Sequence, residues 1–191
     1  MKKTNKTINL DLNLLDDSEN NKLFLNLQYV SNSLFKTDII AVTAINNDSR
    51  GLLFAYNLAR SYNENGSKTL IIDANFYESA EILVNKVEKI NFVSTINSVD
   101  VIKLSTNELP GDYFRSSQLE KLIKENKEIY ARFLIVVPSI SRHKEIGLLN
   151  KLVDCVYLIA EKNVTKNNEI FDAIEYCKQK SLPLARVVLF K

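Results

Sequence analysis

The sequence predicts an α/β fold in which a doubly wound, mostly parallel sheet carries helices on both faces. Short runs rich in Val, Ile and Leu recur along the chain without alternating with polar residues, which is typical of strands buried on both faces. Between most of these runs lie amphipathic stretches whose apolar residues recur at helical spacing. The regular exchange of the two kinds of segment favours parallel strands joined by helical crossovers.

The individual elements follow from these patterns in chain order. Strands are predicted over residues 39–42, 69–72, 101–104, 133–137, 155–159 and 185–189. Helices are predicted over residues 52–62, 79–87, 117–128, 145–152 and 166–180. No repeat or low-complexity linker interrupts the series, so we expect a flexible N-terminal arm over residues 1–17 and a single domain over residues 18–191.

The composition narrows the functional classes. The 25 basic and 23 acidic residues are spread along the chain and leave a net charge of +2, which argues against a nucleic-acid partner. Cys155 and Cys177 each lack a neighbouring cysteine, so neither a zinc cluster nor a disulfide framework is expected, and both are predicted to be buried thiols. His143 is the only histidine, which excludes clusters of histidine ligands, and we expect it in a solvated loop. The sequence therefore predicts no bound metal.

The N-terminal segment gives an expectation about location. Residues 8–15, Ile-Asn-Leu-Asp-Leu-Asn-Leu-Leu, alternate apolar and polar residues and precede Asp16 and Asp17, so no signal-peptide core is present. No apolar run approaches the roughly 20 residues that span a bilayer. We expect a cytoplasmic protein that does not insert into the membrane, with any contact at its inner face made through a partner.

The segment between the first predicted strand and the first predicted helix departs from a common binding pattern. It reads Thr-Ala-Ile-Asn-Asn-Asp-Ser-Arg-Gly-Leu-Leu-Phe-Ala-Tyr-Asn-Leu-Ala over residues 43–59. A loop that binds phosphate in this position uses glycines to expose backbone N–H groups, a lysine for the outer phosphates and a hydroxyl for Mg²⁺. Here Gly51 is the only glycine, lysine is absent and Leu52 follows.

Several short motifs nevertheless follow one another in a familiar order. They are Asn26-Leu-Gln-Tyr29, Ile40-Ala-Val-Thr43, Asn57-Leu-Ala59, Leu70-Ile-Ile-Asp-Ala-Asn75, Val153-Asp-Cys-Val-Tyr-Leu-Ile159 and Arg186-Val-Val-Leu189. Together they resemble the cytoplasmic domain of the bacterial tyrosine kinases that control capsular and exopolysaccharide synthesis, within the MinD/ParA-like group of P-loop ATPases. The resemblance runs from about residue 18 to residue 191 and implies a P-loop NTPase-like, Rossmann-like three-layer fold.

The resemblance places the family's phosphate-binding loop on residues 47–52. Its Pro-Gly-Glu-Gly-Lys-Ser then corresponds to Asn-Asp-Ser-Arg-Gly-Leu. Asp48 and Arg50, on either side of Ser49, replace the two glycines. Gly51 replaces the lysine, and Leu52 replaces the serine whose hydroxyl binds Mg²⁺. The Asn/Asp/Ser run favours an ordinary cap that opens a core helix. The alternative is that the carboxylate of Asp48 caps the free N–H groups of the helix and takes the place of an anionic phosphate.

The remaining family positions are also altered. Asp73 matches the first acid of the family's Asp-x-Asp motif, Asn75 replaces the second acid and Val137 stands where the family's third aspartate follows a strand. An amide is a poor ligand for Mg²⁺ and cannot act as a base, so Asp73 is expected to serve as a hydrogen-bond acceptor at a strand end. Arg50 is either a solvated residue of the first helical turn or a guanidinium that binds phosphate.

Two further features of the family are not matched. Its autophosphorylated tyrosine cluster follows the last strand, whereas this sequence stops at Lys191. Its Glu-x-x-Arg-x-x-Arg segment, through which rings form, would fall on Ser18, Asn21 and Phe24. We therefore expect no rings of the family's kind, although a homodimer remains open.

Three functional hypotheses follow. The leading one is a pseudokinase or pseudo-ATPase with vestigial nucleotide-binding residues, no catalytic residues and no cofactor, which acts as a protein-binding scaffold. The resemblance implies a membrane-anchored polysaccharide chain-length adaptor or an active kinase paralogue as its partner. The first alternative is a divergent protein-tyrosine kinase that uses ATP, Mg²⁺, Arg50 and Asp73. The second is a MinD/ParA-like module for positioning or for pilus or secretion assembly.

Overall fold

The computed structural model describes residues 37–77, 93–96, 99–104 and 108–190. The described strands are β1 (Ile39–Ala44), β2 (Thr69–Asp73), β3 (Val93–Ile96), β4 (Val99–Lys103), β5 (Arg132–Val137), β6 (Cys155–Glu161) and β7 (Leu184–Phe190). The described helices are α1 (Asp48–Glu64), α2 (Pro110–Arg115), α3 (Gln118–Asn126) and α4 (Asn167–Gln179), with a 3₁₀ helix at Glu145–Leu149.

The described strands form one seven-stranded sheet in the order β3-β4-β2-β5-β1-β6-β7. β3 runs antiparallel to β4, and every other neighbouring pair is parallel. One apolar layer lies between the sheet and α1, and a second lies between the opposite face and α2, α3, α4 and the 3₁₀ helix. The prediction of a doubly wound, mostly parallel sheet with helices on both faces is confirmed.

The sequence of β1 shows why these strands lack alternation. Ile40 and Val42 belong to the layer beneath α1, whereas Ala41 belongs to the layer on the opposite face. Successive side chains of a strand point to opposite faces, so a strand covered on both sides needs apolar residues at every position. All residues of β1 are buried, as this argument requires.

Each of the predicted strands is present, with bounds that differ by one or two residues. β3 and α2 were not predicted, because 93–96 contains two hydroxyl residues and α2 is only a short turn of helix. The predicted helix over 145–152 is wrong in length and type, since only the 3₁₀ helix forms there. After this segment, the carboxylate of Asp154 accepts hydrogen bonds from the backbone N–H groups of Asp38 and Ile39, which holds the start of β6 beside β1.

Several other expectations concern particular residues. Cys155 and Cys177 are buried free thiols, as predicted. None of the described helices is long and apolar enough to cross a bilayer, and the described ranges contain no group of three or more side chains that could hold a metal ion. The predicted arm over 1–17 and the predicted helix over 79–87 lie outside the described residues.

The topology fixes where a site would lie. β1 is central, with β5 on one side and β6 on the other. The chain moves outward from β1 to β2 and β4, returns to β5, and then crosses to β6 on the opposite side of β1. In open α/β sheets the crevice at the carboxyl ends of the strands at such a reversal is the usual binding position.

Candidate functional site

The residues that the sequence singled out meet at this carboxyl edge. Asp48 and the residues that follow it open α1 directly after β1, while Asp73 ends β2 and Val137 ends β5. Val137 is paired with Thr43 of β1, and Asp73 is paired with Val136. The structure therefore brings the altered loop and the family's acidic positions to one place.

The first helix is capped by Asn47. Asn47 has an extended backbone, with φ −121° and ψ 108°, and its side-chain oxygen accepts hydrogen bonds from the N–H of Ser49 at 3.3 Å and the hydroxyl of Ser49 at 2.8 Å. An N-cap needs this non-helical conformation, whereas Asp48 is the first residue inside the helix. The expected Asn/Asp/Ser cap is confirmed with Asn47 as the capping residue, and the alternative in which Asp48 caps α1 is wrong.

The carboxylate of Asp48 is bound by the loop that follows β5. One oxygen accepts a hydrogen bond from the backbone N–H of Ser139, and the other accepts one from Nη2 of Arg142 at 2.8 Å. The Asp48 side chain is only 9% exposed, although that of Arg142 is 56% exposed. The negative charge at the start of α1 is thus neutralised by groups of the same chain.

Arg142 ties the two loops together. Its Nε donates to the hydroxyl of Ser139 at 2.9 Å, and its Nη2 also donates to the carbonyl of Asn46 at 3.3 Å. Sequence reasoning missed both Ser139 and Arg142. The available signal was an arginine shortly after a predicted strand, but only the adjacency of β5 and β1 reveals what that arginine contacts.

Arg50 is engaged on the other side of β1. Its Nη2 and Nε donate to one carboxylate oxygen of Glu161 at 2.8 and 3.3 Å, and the two side chains are 16% and 18% exposed. The guanidinium carbon also lies 6.0 Å from the centre of the Phe190 ring. The expectation of a solvated arginine is wrong, because β6 ends beside β1 and brings Glu161 within reach.

The positions of the family's lysine and hydroxyl are occupied by small and apolar groups. A Cβ at Gly51 would lie 3.4 Å from the backbone nitrogen of Ala44 and 3.9 Å from Cγ1 of Val136. Leu52 is half-buried and packs against the apolar layer beneath α1. The first turn of α1 therefore lies close against the ends of β1 and β5.

Asp73 is held within the protein at the end of β2. It is 4% exposed, accepts a hydrogen bond from the N–H of Asn75 at 3.1 Å and pairs with Lys103 at 3.7 Å. Burial raises the pKa of Asp73, with Lys103 opposing the shift and the nearby charge of Asp48 adding to it. The predicted role of Asp73 as a strand-end acceptor is confirmed. Within the described ranges, the side-chain oxygen of the buried Asn75 has no hydrogen-bond partner.

Val137 and His143 complete the set of residues that the sequence singled out. Val137 is 2% exposed and belongs to the apolar layer opposite α1. His143 is half-buried and stacks on Tyr77 with ring centres 3.6 Å apart, so the expectation of a solvated loop histidine is wrong. The hydroxyl of Tyr77 donates to Glu145, and burial together with that carboxylate raises the pKa of Tyr77 to about 12.

The strand order and the helices on both faces define an α/β domain with a P-loop NTPase-like fold. No family model and no curated protein sequence matches this chain. Among solved structures, the VpsO kinase domain is similar at 16% identity and a TM-score of 0.74, over 96% of this chain and 99% of that chain. The kinase domain of the Escherichia coli tyrosine kinase ETK is similar at 16% identity and a TM-score of 0.75, over 99% and 82%.

A more distant group shares the fold. The MinD cell division protein of Aquifex aeolicus is similar at 15% identity and a TM-score of 0.56, over 80% of this chain and 68% of that chain. At these identities the likeness is one of fold. The solved structures belong to the two groups that the sequence resembles, bacterial tyrosine kinase domains and MinD/ParA-like ATPases.

Proposed function

We propose that this chain is a catalytically inactive pseudokinase or pseudo-ATPase that acts as a protein-binding scaffold or regulator in capsular or exopolysaccharide synthesis and export. One observation carries the proposal: the carboxylate of Asp48 is already bound by the N–H of Ser139 and by Arg142. An anion-binding position at the start of a helix depends on free N–H groups and positive charge. Here the protein's own carboxylate, at the first residue of α1, already binds the N–H and the positive charge that the loop after β5 brings beside the helix start.

Mg·ATP, which the fold family implies, does not fit the residues at this edge. The carboxylate of Asp48 already binds the N–H of Ser139 and the guanidinium of Arg142, which could otherwise bind phosphate oxygens. Leu52 and Val137 offer no ligand for the accompanying Mg²⁺. Phosphoryl transfer relies almost entirely on positioning and on neutralisation of phosphate charge. We therefore assign no catalytic residue and no cofactor.

The proposed partner follows from the resemblance to the tyrosine kinases. It is a membrane-anchored polysaccharide chain-length adaptor or an active kinase paralogue, and contact with it holds the protein at the inner face of the cell membrane. The higher TM-scores with tyrosine kinase domains than with MinD support this choice over a positioning module. A homodimer is compatible with the proposal.

A complementation experiment tests the scaffold. A strain that lacks the gene receives the wild-type chain or the Asp73→Asn variant, and surface polysaccharide is measured at matched protein levels. Because no step depends on the Asp73 charge, the variant should restore polysaccharide to the wild-type level. Loss of restoration by a folded Asp73→Asn protein would contradict the proposal.

Two alternatives give different outcomes. A divergent tyrosine kinase would transfer radiolabel from ATP in the presence of an adaptor and lose that activity in Asp73→Ala. The pairing of Arg50 with Glu161 and of Asp73 with Lys103 weighs against it. A positioning, pilus or secretion module would form polar or mid-cell foci that do not depend on polysaccharide genes. The genomic neighbourhood of the gene is the quickest way to distinguish these three functions.

A further inference from the structure

β7 is an edge strand whose outer side is not paired with any strand of the described ranges. Residues 184–190, Leu-Ala-Arg-Val-Val-Leu-Phe, contain a single charge and neither proline nor glycine. Val187 is 37% exposed and Leu189 is 59% exposed. Exposed edges are usually protected by charges, proline or bulges, and an apolar edge without them is a place where another strand adds. The one register irregularity between β6 and β7 lies between Leu184 and Arg186, so the regular part of β7 from Arg186 to Phe190 is available for pairing.

The backbone of β7 shows which residues face outward. The carbonyl of Phe190 accepts a hydrogen bond from the N–H of Lys162 at 2.7 Å, so the polar groups of Phe190 point toward β6. In a parallel pair, the N–H and C=O of one residue point to the same neighbour, and those of the next residue point away. The N–H and C=O groups of Val187 and Leu189 therefore point outward, at the same two residues whose side chains are exposed.

The two faces of β7 differ. Phe190 and Val188 pack in the layer beneath α1, on the same face as the exposed Arg186. Val187 and Leu189 lie on the opposite face, which α4 leaves partly uncovered. A strand that adds here should carry apolar residues on the α4 face and polar residues, preferably acidic, on the face of Arg186.

We propose that residues 8–15 of this chain add to the outer side of β7 as a further strand. In Ile-Asn-Leu-Asp-Leu-Asn-Leu-Leu, the apolar residues at 8, 10, 12 and 14 alternate with two asparagines and Asp11. Such alternation places all the apolar side chains on one face, toward Val187 and Leu189. Asp11 then lies on the face of Arg186, where the charges are complementary.

The length of the connection allows this contact. β1 begins at Ile39 and lies two strands from β7, a distance of about 10 Å at the usual strand spacing. A segment of about 20 residues, such as 16–36, spans as much as roughly 65 Å when extended. Tethering gives the arm an effective concentration near the millimolar range, well above that of a second copy at micromolar protein. The proposal does not depend on the proposed function.

Amide hydrogen exchange in the full chain, measured by NMR, tests the proposal. The variant Leu10→Ser with Leu12→Ser removes apolar side chains of the arm, and Asn9→Ser with Asn13→Ser is the matched control. In the wild type and the control, exchange at Val187 and Leu189 should be at least about tenfold slower than in the leucine variant. Val188, whose N–H faces β6, should change little.

Other results would overturn the proposal. Equal exchange at Val187 and Leu189 in all three proteins means that the arm does not cover the edge. Protection that rises with protein concentration means that a second copy covers it instead. Unchanged exchange at Val42 in β1 shows that each variant is folded, so neither result can be attributed to unfolding.

Discussion

The carboxylate of Asp48, at the start of α1, accepts a hydrogen bond from Nη2 of Arg142 at 2.8 Å. The same carboxylate accepts one from the N–H of Ser139, so the loop after β1 and the loop after β5 are joined by one side chain. The contact places negative charge at the positive end of α1, where the helix dipole favours it. It is both a structural link and the basis of the proposed lack of nucleotide binding.

Removal of this carboxylate should destabilise the protein. Asp48→Ala removes the acceptor of the Ser139 N–H and the ion pair with Arg142, which keeps its bonds to Ser139 and Asn46, and this should lower the free energy of unfolding by about 1–3 kcal/mol. Lys121→Ala is the control, because it breaks an exposed ion pair with Glu125 and should cost less than about 1 kcal/mol. Urea denaturation measures the free energy of unfolding of both variants. Equal stability of the two variants would contradict the role of the contact.

The buried carboxyl of Asp73 should make stability depend on pH. Burial raises the pKa of Asp73 in the folded protein above the ordinary value of 3.8, which applies to the unfolded chain. At a pH between these two pKa values, the folded protein keeps a proton on Asp73 that the unfolded chain has lost. Wild-type stability therefore falls as the pH rises through that window, whereas the Asp73→Asn variant has no such loss. The variant should therefore gain stability relative to wild type as the pH rises above the ordinary pKa of an aspartate.

Denaturation at several pH values measures this difference, with the exposed Asp112→Asn as the control. If Asp73→Asn instead loses stability relative to wild type as the pH rises, the pair with Lys103 outweighs burial and the raised pKa is wrong.

Two glycines should respond differently to alanine. A Cβ at Gly147 would lie 2.5 Å from the hydroxyl oxygen of Tyr176, which donates to the carbonyl of Lys144 at 2.7 Å. Gly147→Ala should displace this ring and cost about 1–3 kcal/mol. At Gly51 the nearest atom is 3.4 Å away, so Gly51→Ala should be neutral or should stabilise α1 by up to about 1 kcal/mol. Thermal unfolding measures the stability of the two variants, and a greater loss of stability in Gly51→Ala than in Gly147→Ala would contradict the packing around these glycines.

The two cysteines should be unreactive in the folded protein. Burial raises the pKa of Cys155 and Cys177 to about 11, so very little reactive thiolate is present near neutral pH. Labelling with Ellman's reagent at about pH 8 should be at least roughly a hundredfold slower than in urea, since each pKa unit lowers the thiolate fraction about tenfold. Rapid labelling of either thiol in the native protein would show that its burial is not maintained.

The fold was largely predictable because each central strand is covered on both faces, and this constraint leaves a local mark in the sequence. The apolar run that became β1 is an example. β3 left no such mark, since it pairs only at an edge of the sheet. The Asn-Asp-Ser run at residues 47–49 predicts a helix cap, but which of the three residues forms it depends on the backbone conformation, which is extended at Asn47.

The composition of the candidate site was predictable, but its contacts were not. The replacement of lysine and hydroxyl by Gly51 and Leu52 can be read from the sequence. The partners of Asp48 and Arg50 come from residues 94 and 111 positions away, and they depend on which strands flank β1. Local periodicity carries no information about that order, so Arg142 and Glu161 became visible only in the folded chain.

Isothermal titration of Mg·ATP into the full chain tests the central claim most directly. If the carboxylate of Asp48 replaces the phosphate, no saturable heat should appear up to about 1 mM nucleotide, which corresponds to a binding free energy weaker than about −4 kcal/mol. Saturable binding with a micromolar dissociation constant would contradict the account.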